Sequence, residues 1–126
     1  MSGKTNPDLK LTALRGATTT NGDTDFFIRD AVIELIKELI IQNNLNQENI
    51  ISITFTVTKD LTSCFPASIA RKYFNFDNIA LLDCQQMFVP NDINFCIRIL
   101  ALVYLESDKE SVHPYLNESA KLRPDR

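Results

Sequence analysis

The chain has few of the residues on which most metal sites and phosphate-binding loops depend. It contains one histidine, His113, and three cysteines with no CxxC spacing. Zinc sites need a cluster of such ligands, so the sequence does not predict one. The three glycines form neither a Walker motif nor a GxGxxG motif. A phosphate-binding loop at Gly16, in "RGATT", is therefore excluded.

Charge and hydropathy exclude further classes of protein. The chain has 13 basic and 16 acidic residues, whereas nucleic acids and anionic membranes usually bind basic surfaces. No apolar run is long enough to span a bilayer, and the polar start "MSGKTNPDLK" lacks the apolar core of a signal peptide. Cys64, Cys84 and Cys96 lie among apolar neighbours. We expect them to be reduced, buried thiols of a cytoplasmic protein.

Length and hydrophobic periodicity predict one α+β domain. At 126 residues, 44% of them hydrophobic, the chain can bury a single core. We expect a flexible extension over residues 1–8 and one domain over 9–126. A strand, a long helix and a second strand in succession suggest a crossover connection and a parallel pair of strands. The predicted strands are 9–19, 51–58, 79–88 (buried) and 95–105, and the predicted helices are 25–43 and 66–74.

Two apolar patterns define the expected core. In "ISITFTVT", apolar and polar residues alternate, so Ile51, Ile53, Phe55 and Val57 should point one way and the Ser and Thr residues the other. The segment "FCIRILALVYL" is apolar enough to form the centre of the sheet. In the long helix, apolar residues recur at helical spacing and predict one buried face. These helix residues are Ile28, Val32, Leu35, Ile36 and Leu39.

Charged residues inside apolar segments indicate where a site could lie. Asp83 interrupts "IALLDCQQMF", and Arg98 interrupts "FCIRILALVYL". Because a buried charge normally needs a partner, Arg98 should meet an anion, either a ligand or a structural carboxylate such as Asp83. Spacing does not choose between the two. No triad or dyad pattern surrounds His113, so we do not expect a catalytic imidazole.

Four motifs in order resemble one enzyme family. They are "LRGATT" in the first strand, "TVTKDLTSCFPASIAR" in the middle, "CIR" in the fourth strand and "HPYLNESAKLRPD" at the end. Together they resemble the trimeric α/β-barrel class of chorismate mutase, the small non-helical class of bacilli and cyanobacteria. The match covers the chain from about Leu11 to Asp125, with similar spacing throughout.

This resemblance implies a fold, an assembly and a reaction. The fold would be an α/β pseudo-barrel, in which a small mixed sheet packs on one long helix. Three chains would form a homotrimer with active sites at the subunit interfaces. The reaction would be the rearrangement of chorismate to prephenate in phenylalanine and tyrosine biosynthesis, without cofactor or metal. A tail over about residues 117–126 would be mobile and cover the site.

The resemblance also assigns roles to residues, position by position. Arg98 matches an arginine that contacts the ether oxygen and a carboxylate of the substrate, and Arg15 matches one on the other side. Tyr115 matches a tyrosine that contacts a carboxylate. The remaining matches are Phe65, Ala67 and Arg71 from the neighbouring subunit, Leu122 and Arg123 in the tail, and Leu82, Asp83, Cys84, Gln85 and Gln86 along a substrate-lining strand.

The chain departs from the family pattern at several of these positions. Gln86 replaces a glutamate that accepts a hydrogen bond from the substrate hydroxyl, and Asp83 replaces a cysteine. Ser68 replaces a lysine, and "VPND" replaces a glycine-containing loop. One hypothesis is that Asp83 and Gln86 together accept the hydroxyl as catalytic residues; the other is that Asp83 pairs structurally with Arg98 or Arg15.

A second functional class is open on the same residues. The donor set of Arg15, Arg71, Arg98 and Tyr115 would serve a trimeric, non-catalytic binding module for a small dicarboxylate equally well. The missing glutamate favours the binding module, and the retention of donors from two subunits favours the enzyme.

Overall fold

A four-stranded mixed sheet with two helices on one face forms the structure, a computed structural model that describes residues 8–122. All six predicted strands and helices are present with bounds within one residue of the prediction, except that the strand containing Asp83 ends at Gln85 rather than at residue 88. In chain order the elements are β1 (Leu9–Thr19), α1 (Asp25–Asn43), β2 (Ile50–Val57), α2 (Pro66–Phe74), β3 (Ala80–Gln85) and β4 (Cys96–Glu106), with short 3-10 turns at Gln47–Asn49 and Asn117–Leu122.

The strand order is β1-β4-β2-β3, which confirms β4 as a central strand. β4 runs antiparallel to both β1 and β2, and β3 runs parallel to β2. The predicted parallel pair of β1 and β2 is wrong, because β4 lies between them. β1 and β2 do run in the same direction, but the apolar β4 lies between them. Its backbone is hydrogen-bonded to β1 on one side and to β2 on the other.

The core lies between α1 and one face of the sheet. All five predicted apolar residues of α1 are fully buried, and they pack with Ile53 and Phe55 of β2. The prediction for Ile51 is wrong, since its side chain is 39% exposed. A register shift between Ile50 and Ser52 is the reason. This irregularity turns Ile50 into the core and Ile51 away from it.

The predicted burial of β3 and of the cysteines also needs correction. β3 is an edge strand, and Leu82 on it is 58% exposed. Cys96 is buried as expected, but Cys64 is only partly buried and Cys84 is exposed. The edge position explains Cys84, because a strand paired on one side only leaves half of its surface uncovered. No helix in the described stretch is long and apolar enough to cross a membrane.

The second face of the sheet carries no helix, and we call it the open face. Large apolar side chains are exposed on it. An uncovered apolar sheet face normally packs against another layer. The large exposed apolar residues of the open face are Leu9, Leu11, Leu82, Leu100, Leu102 and Tyr104.

Candidate active site

Strand pairing brings Arg15 and Arg98 to the open face on neighbouring strands. Residues that pair directly across strands point to the same face of a sheet. Two rows of paired residues therefore cross the open face side by side. The first row is Arg15, Leu100, Thr54 and Leu82; the second is Ala17, Arg98, Thr56 and Cys84.

A cavity of about 340 Å³, which we call the arginine groove, lies over these rows. Two always-charged, forked donors on one cavity wall are suited to bind carboxylates. The structure thus brings together four of the predicted site residues and adds two threonines. The side chains that line the groove include Arg15, Arg98, Tyr115, Leu122, Thr54 and Thr56.

The C-terminal segment is held against β1, and this places Tyr115 in the groove. Ala17 N–H donates to Pro114 O (2.9 Å), and Leu116 N–H donates to Ala17 O (2.8 Å). Arg15 N–H donates to His113 Nδ1 (3.0 Å). Gly16 permits this close approach, because a Cβ atom there would lie 2.6 Å from Pro114 O. The glycine therefore serves packing.

The short 3-10 turn that follows carries Leu122 to the groove. Asn117 Nδ2 donates to Thr18 Oγ1 of β1 (3.0 Å), and Ser119 Oγ donates to Leu116 O (2.6 Å). Ser119 is fully buried, which anchors the turn. Arg123, the other predicted tail residue, lies outside the described residues.

Arg98 retains unused hydrogen-bonding capacity. Its Nε is buried and has no hydrogen-bond partner, and the same holds for Oγ1 of Thr56, its pairing neighbour on β2. The Arg98 guanidinium lies near the Cys96 thiol, whose pKa is raised by burial against the lowering effect of that charge. Within residues 8–122 no ion pair joins Asp83 to Arg98 or Arg15. The predicted structural pairing is therefore wrong, since Asp83 points elsewhere.

Asp83 lies on the helix-facing side of β3 and binds the start of α2. It pairs with the fully buried Phe55, and its Oδ1 accepts a hydrogen bond from Ala67 N–H (3.0 Å). Ala67 is in the first turn of α2, whose cap residue Phe65 contributes no side-chain hydrogen bond. The first N–H groups of a helix need external acceptors, and the Asp83 carboxylate supplies one from a neighbouring strand.

Electrostatics at Asp83 reflect this position. Burial raises the pKa of the Asp83 carboxyl, while the Ala67 N–H and the positive charge of Arg71 act in the opposite direction. Arg71 is itself exposed on α2. A negative charge beside the first turn of a helix is favourable, because it complements the helix dipole.

A second cavity lies beside α2, away from the arginine groove. It measures about 460 Å³, and we call it the α2 cavity. Phe65 at its edge is 67% exposed, whereas Ala67 is buried. Phe65, Ala67 and Arg71 were predicted to reach the site from a neighbouring subunit. Within one chain, none of them lines the arginine groove. The α2 cavity is lined by Phe65, Ser68, Asp83, Cys84 and Gln85, among others.

Gln86 has partners different from those of Asp83. Its backbone N–H donates to Val57 O (2.8 Å), which fixes it beside the end of β2. Its side-chain Nε2 donates to Asp92 Oδ2 (2.9 Å). Its Oε1 is buried without a hydrogen-bond partner. The structure therefore directs Asp83 and Gln86 to different neighbours rather than to one shared position.

Three contributors to this region were not predicted as site residues. The alternation in "ISITFTVT" predicts that Thr54 and Thr56 lie on the same face of the strand, but it does not predict that this face lines a cavity. Asp92 fixes the Gln86 amide from a turn, where an aspartate is an ordinary residue. Among the described residues, no group of three or more His, Cys, Asp or Glu side chains could hold a metal ion.

The arginine groove is the kind of site that binds and orients a small carboxylate ligand. The family model for chorismate mutase type I matches residues 11–126. The chain belongs to this family, as the sequence motifs indicated.

Known proteins support the same placement. A chorismate mutase AroH from Thermus thermophilus is 38% identical over 114 residues, covering 89% of this chain and 93% of that protein. A second AroH, from Bacillus subtilis strain 168, is 28% identical over 118 residues, with 93% of each chain covered. A solved chorismate mutase structure from Clostridium thermocellum matches with a TM-score of 0.80 and 37% identity, over 87% of this chain and 98% of that one. The predicted fold class is confirmed.

Proposed function

We propose that the arginine groove carries out the reaction of the family, the isomerisation of chorismate to prephenate in aromatic amino acid biosynthesis. The observation that carries this is the placement of Arg15 and Arg98 on one cavity wall, with a buried Arg98 Nε that lacks a partner. A buried donor without an acceptor is costly, and a ligand oxygen would satisfy it.

The reaction suits this donor set. An intramolecular rearrangement of this kind needs no nucleophile and no proton transfer. The protein must hold a flexible dianion in its compact form and stabilise the charge that grows on the ether oxygen. In our proposal Arg98 donates to that oxygen and to a carboxylate, while Arg15 and Tyr115 bind the remaining carboxylate oxygens. Donors already fixed by strand pairing need no reorganisation during the reaction.

We also propose a homotrimer in which each groove is completed by the α2 cavity of a neighbour. Two features support this: Phe65 and Arg71 are separated from the arginine groove within one chain, and the open face exposes apolar residues such as Leu102 and Tyr104. Packing three open faces together would bury them. Light scattering at micromolar concentration should give a trimeric mass. A monomeric mass with full activity would contradict the proposal.

The closing tail and the location in the cell are further parts of the proposal. Leu122 already lines the groove, so a tail from about residue 117 is well placed to cover a bound ligand. The reduced state expected of the cysteines supports a cytoplasmic protein. The domain assignment, with one unit over residues 9–126, also remains a proposal.

One assay tests the function. Purified protein is incubated with chorismate, its loss is followed by absorbance, and the product is identified as prephenate by chromatography against a prephenate standard and by its acid-induced conversion. We expect turnover far above the uncatalysed rate. Binding of prephenate without any turnover would favour the non-catalytic dicarboxylate-binding module instead.

A further inference from the structure

The loop between β1 and α1 holds the loop before α2 through one residue, Asp23. Asp23 Oδ1 accepts hydrogen bonds from Thr62 N–H (2.9 Å) and Ser63 N–H (3.0 Å), which lie 39 and 40 positions away in the chain. Asp23 Oδ2 accepts from the Thr62 hydroxyl (2.6 Å), and the Ser63 hydroxyl donates to Asp23 O (2.9 Å). These hydrogen bonds, those of Thr62 foremost, lower the pKa of the Asp23 carboxyl. The group is therefore an ionised acceptor at neutral pH.

The two residues that Asp23 binds form part of the wall of the α2 cavity. Thr62 and Ser63 line this cavity together with Phe65. The side chain of Phe65 is 67% exposed, so packing does little to hold it in place. Its backbone is held on both sides instead, because Asp23 binds the chain just before it and Asp83 binds the first turn of α2 just after it. The direction of Phe65 therefore depends on these two carboxylates.

We propose that Asp23 is a positioning residue of the α2 cavity, which fixes the segment 62–65 so that Phe65 meets the ligand in the arginine groove of the neighbouring subunit. This inference rests on the proposed function. Asp23 does not touch the ligand in this proposal, because it acts through the loop. Such an indirect role is important for a rearrangement that depends on the shape of its ligand, since a displacement of about 1 Å can cost about a hundredfold in rate.

Two replacements of Asp23 should differ in activity. Asp23→Ala removes all three hydrogen bonds to the carboxylate, so the loop is no longer held. We expect kcat/KM to fall by about tenfold or more. Asp23→Asn keeps an oxygen for the two N–H groups, and the Thr62 hydroxyl can turn to accept from the new amide nitrogen. This conservative variant should keep kcat/KM within about threefold of the parent.

Thr24→Ala is the matched control, because Thr24 follows Asp23 in the same loop but its side chain binds α1. The Thr24 hydroxyl accepts from Phe27 N–H (3.1 Å) and caps the helix. Losing a helix cap lowers stability, so Thr24→Ala and Asp23→Ala should both lower the melting temperature. Thr24 does not line the α2 cavity. Its replacement should therefore leave kcat/KM within about twofold of the parent, assayed below both melting temperatures.

A double-mutant cycle shows whether Asp23 acts through Phe65. Phe65→Ala removes the side chain that Asp23 is proposed to hold. In that background Asp23→Ala should lower kcat/KM by less than about threefold, against about tenfold or more in the parent background. An equal loss in both backgrounds would overturn the positioning role.

Thr62→Val takes the place of Asp23→Ala in the cycle if Asp23→Ala does not fold. It removes the 2.6 Å hydrogen bond to Asp23 from the other loop and leaves the carboxylate in place. We expect a loss of about threefold or more in kcat/KM in the parent background and no further loss in the Phe65→Ala background. Any other pattern would overturn the positioning role.

The outcomes separate this inference from the proposed function. A parent protein that converts chorismate, with Asp23→Ala as active as Thr24→Ala, would overturn the positioning role and leave the proposed function standing. A parent that binds prephenate by calorimetry without turnover would overturn the proposed function. The same cycle would then be measured as Kd for prephenate, where coupling between Asp23 and Phe65 supports the positioning role and its absence overturns it. A parent with neither turnover nor binding would overturn both.

Discussion

At the scale of the residue, Arg98 carries most of the proposed chemistry. Its Nε is buried without a partner beside Thr56, in the groove that also holds Arg15. Arg98→Lys keeps a positive charge but loses the fork and the reach of the guanidinium. We expect kcat to fall by roughly a hundredfold or more, with a smaller effect on KM, because a donor to the transition state is worth about 3 kcal/mol.

Arg29→Lys is the control for this change. Arg29 is exposed on α1, over the ring of Phe26, and is not among the residues of the groove. Its replacement should leave kcat within about twofold of the parent, since exposed charges contribute little. If the kcat of Arg98→Lys, like that of Arg29→Lys, stays within about twofold of the parent, the ether oxygen is stabilised by another group.

Asp83 is the second residue whose role can be tested alone. Its carboxylate accepts from Ala67 N–H at the start of α2. Asp83→Asn keeps an acceptor oxygen there, whereas Asp83→Ala removes it and should cost about 1 kcal/mol of unfolding free energy. Denaturant titration of both variants measures this. If Asp83 instead shares the substrate hydroxyl with Gln86, Asp83→Asn will lose activity while it keeps its stability.

The pH dependence of stability at Asp83 follows from the direction of its pKa. Burial raises the pKa of this carboxyl in the folded protein, so the folded state holds the proton more tightly than the unfolded state. Its contribution to stability is therefore present below the unfolded pKa and is lost as pH rises through the folded pKa. Asp83→Asn removes this contribution. Relative to the parent, the variant should gain stability as the pH rises through and above the ordinary aspartate pKa, measured by thermal unfolding.

At the scale of the element, the C-terminal segment depends on its contact with β1. Gly16→Ala would place a Cβ 2.6 Å from Pro114 O, which is backbone and cannot move alone. We expect a loss of about 1–3 kcal/mol in unfolding free energy and a higher KM, because Tyr115 moves with Pro114. Gly22→Ala is the control, since its Cβ would meet only the ring of Phe27, at 3.3 Å. Equal effects of the two changes on KM would contradict this view of the segment.

Elements were predictable where the pattern was local. The bounds of α1 follow from helical spacing, and the central place of β4 follows from its apolar sequence. The partners of β1 were not predictable in this way, because a strand–helix–strand order does not show that a later strand will take the place between the two. Ile51 was misplaced for a similar reason, since the irregularity after Ile50 depends on the register with β4.

At the scale of the whole molecule, the residues of the arginine groove were predictable from the sequence, whereas the partner of Asp83 was not. Arg15, Arg98, Tyr115 and Leu122 were expected together from the family motifs, and they line one cavity. The contact between Asp83 and Ala67 joins residues 16 positions apart, and no periodicity encodes it. A partner for an isolated charge is chosen by three-dimensional packing, which explains why sequence alone left the role of Asp83 open.

The proposal that each active site is built from the arginine groove of one subunit and α2 of its neighbour is tested most directly by mixing two inactive variants. Arg98→Lys subunits keep an intact α2, whereas Arg71→Ala subunits are altered on α2 and keep the arginine groove intact. Each variant alone should be nearly inactive. The two are co-expressed with different tags, and mixed oligomers are purified through both tags and assayed with chorismate.

In a ring of three subunits, a site is complete wherever an intact groove meets an intact α2 from its neighbour. Each mixed trimer, of either composition, contains one such complete site among its three, so the doubly purified protein should recover roughly a third of the parent kcat per site. Mixed oligomers no more active than the two separate variants would contradict a site built from two subunits.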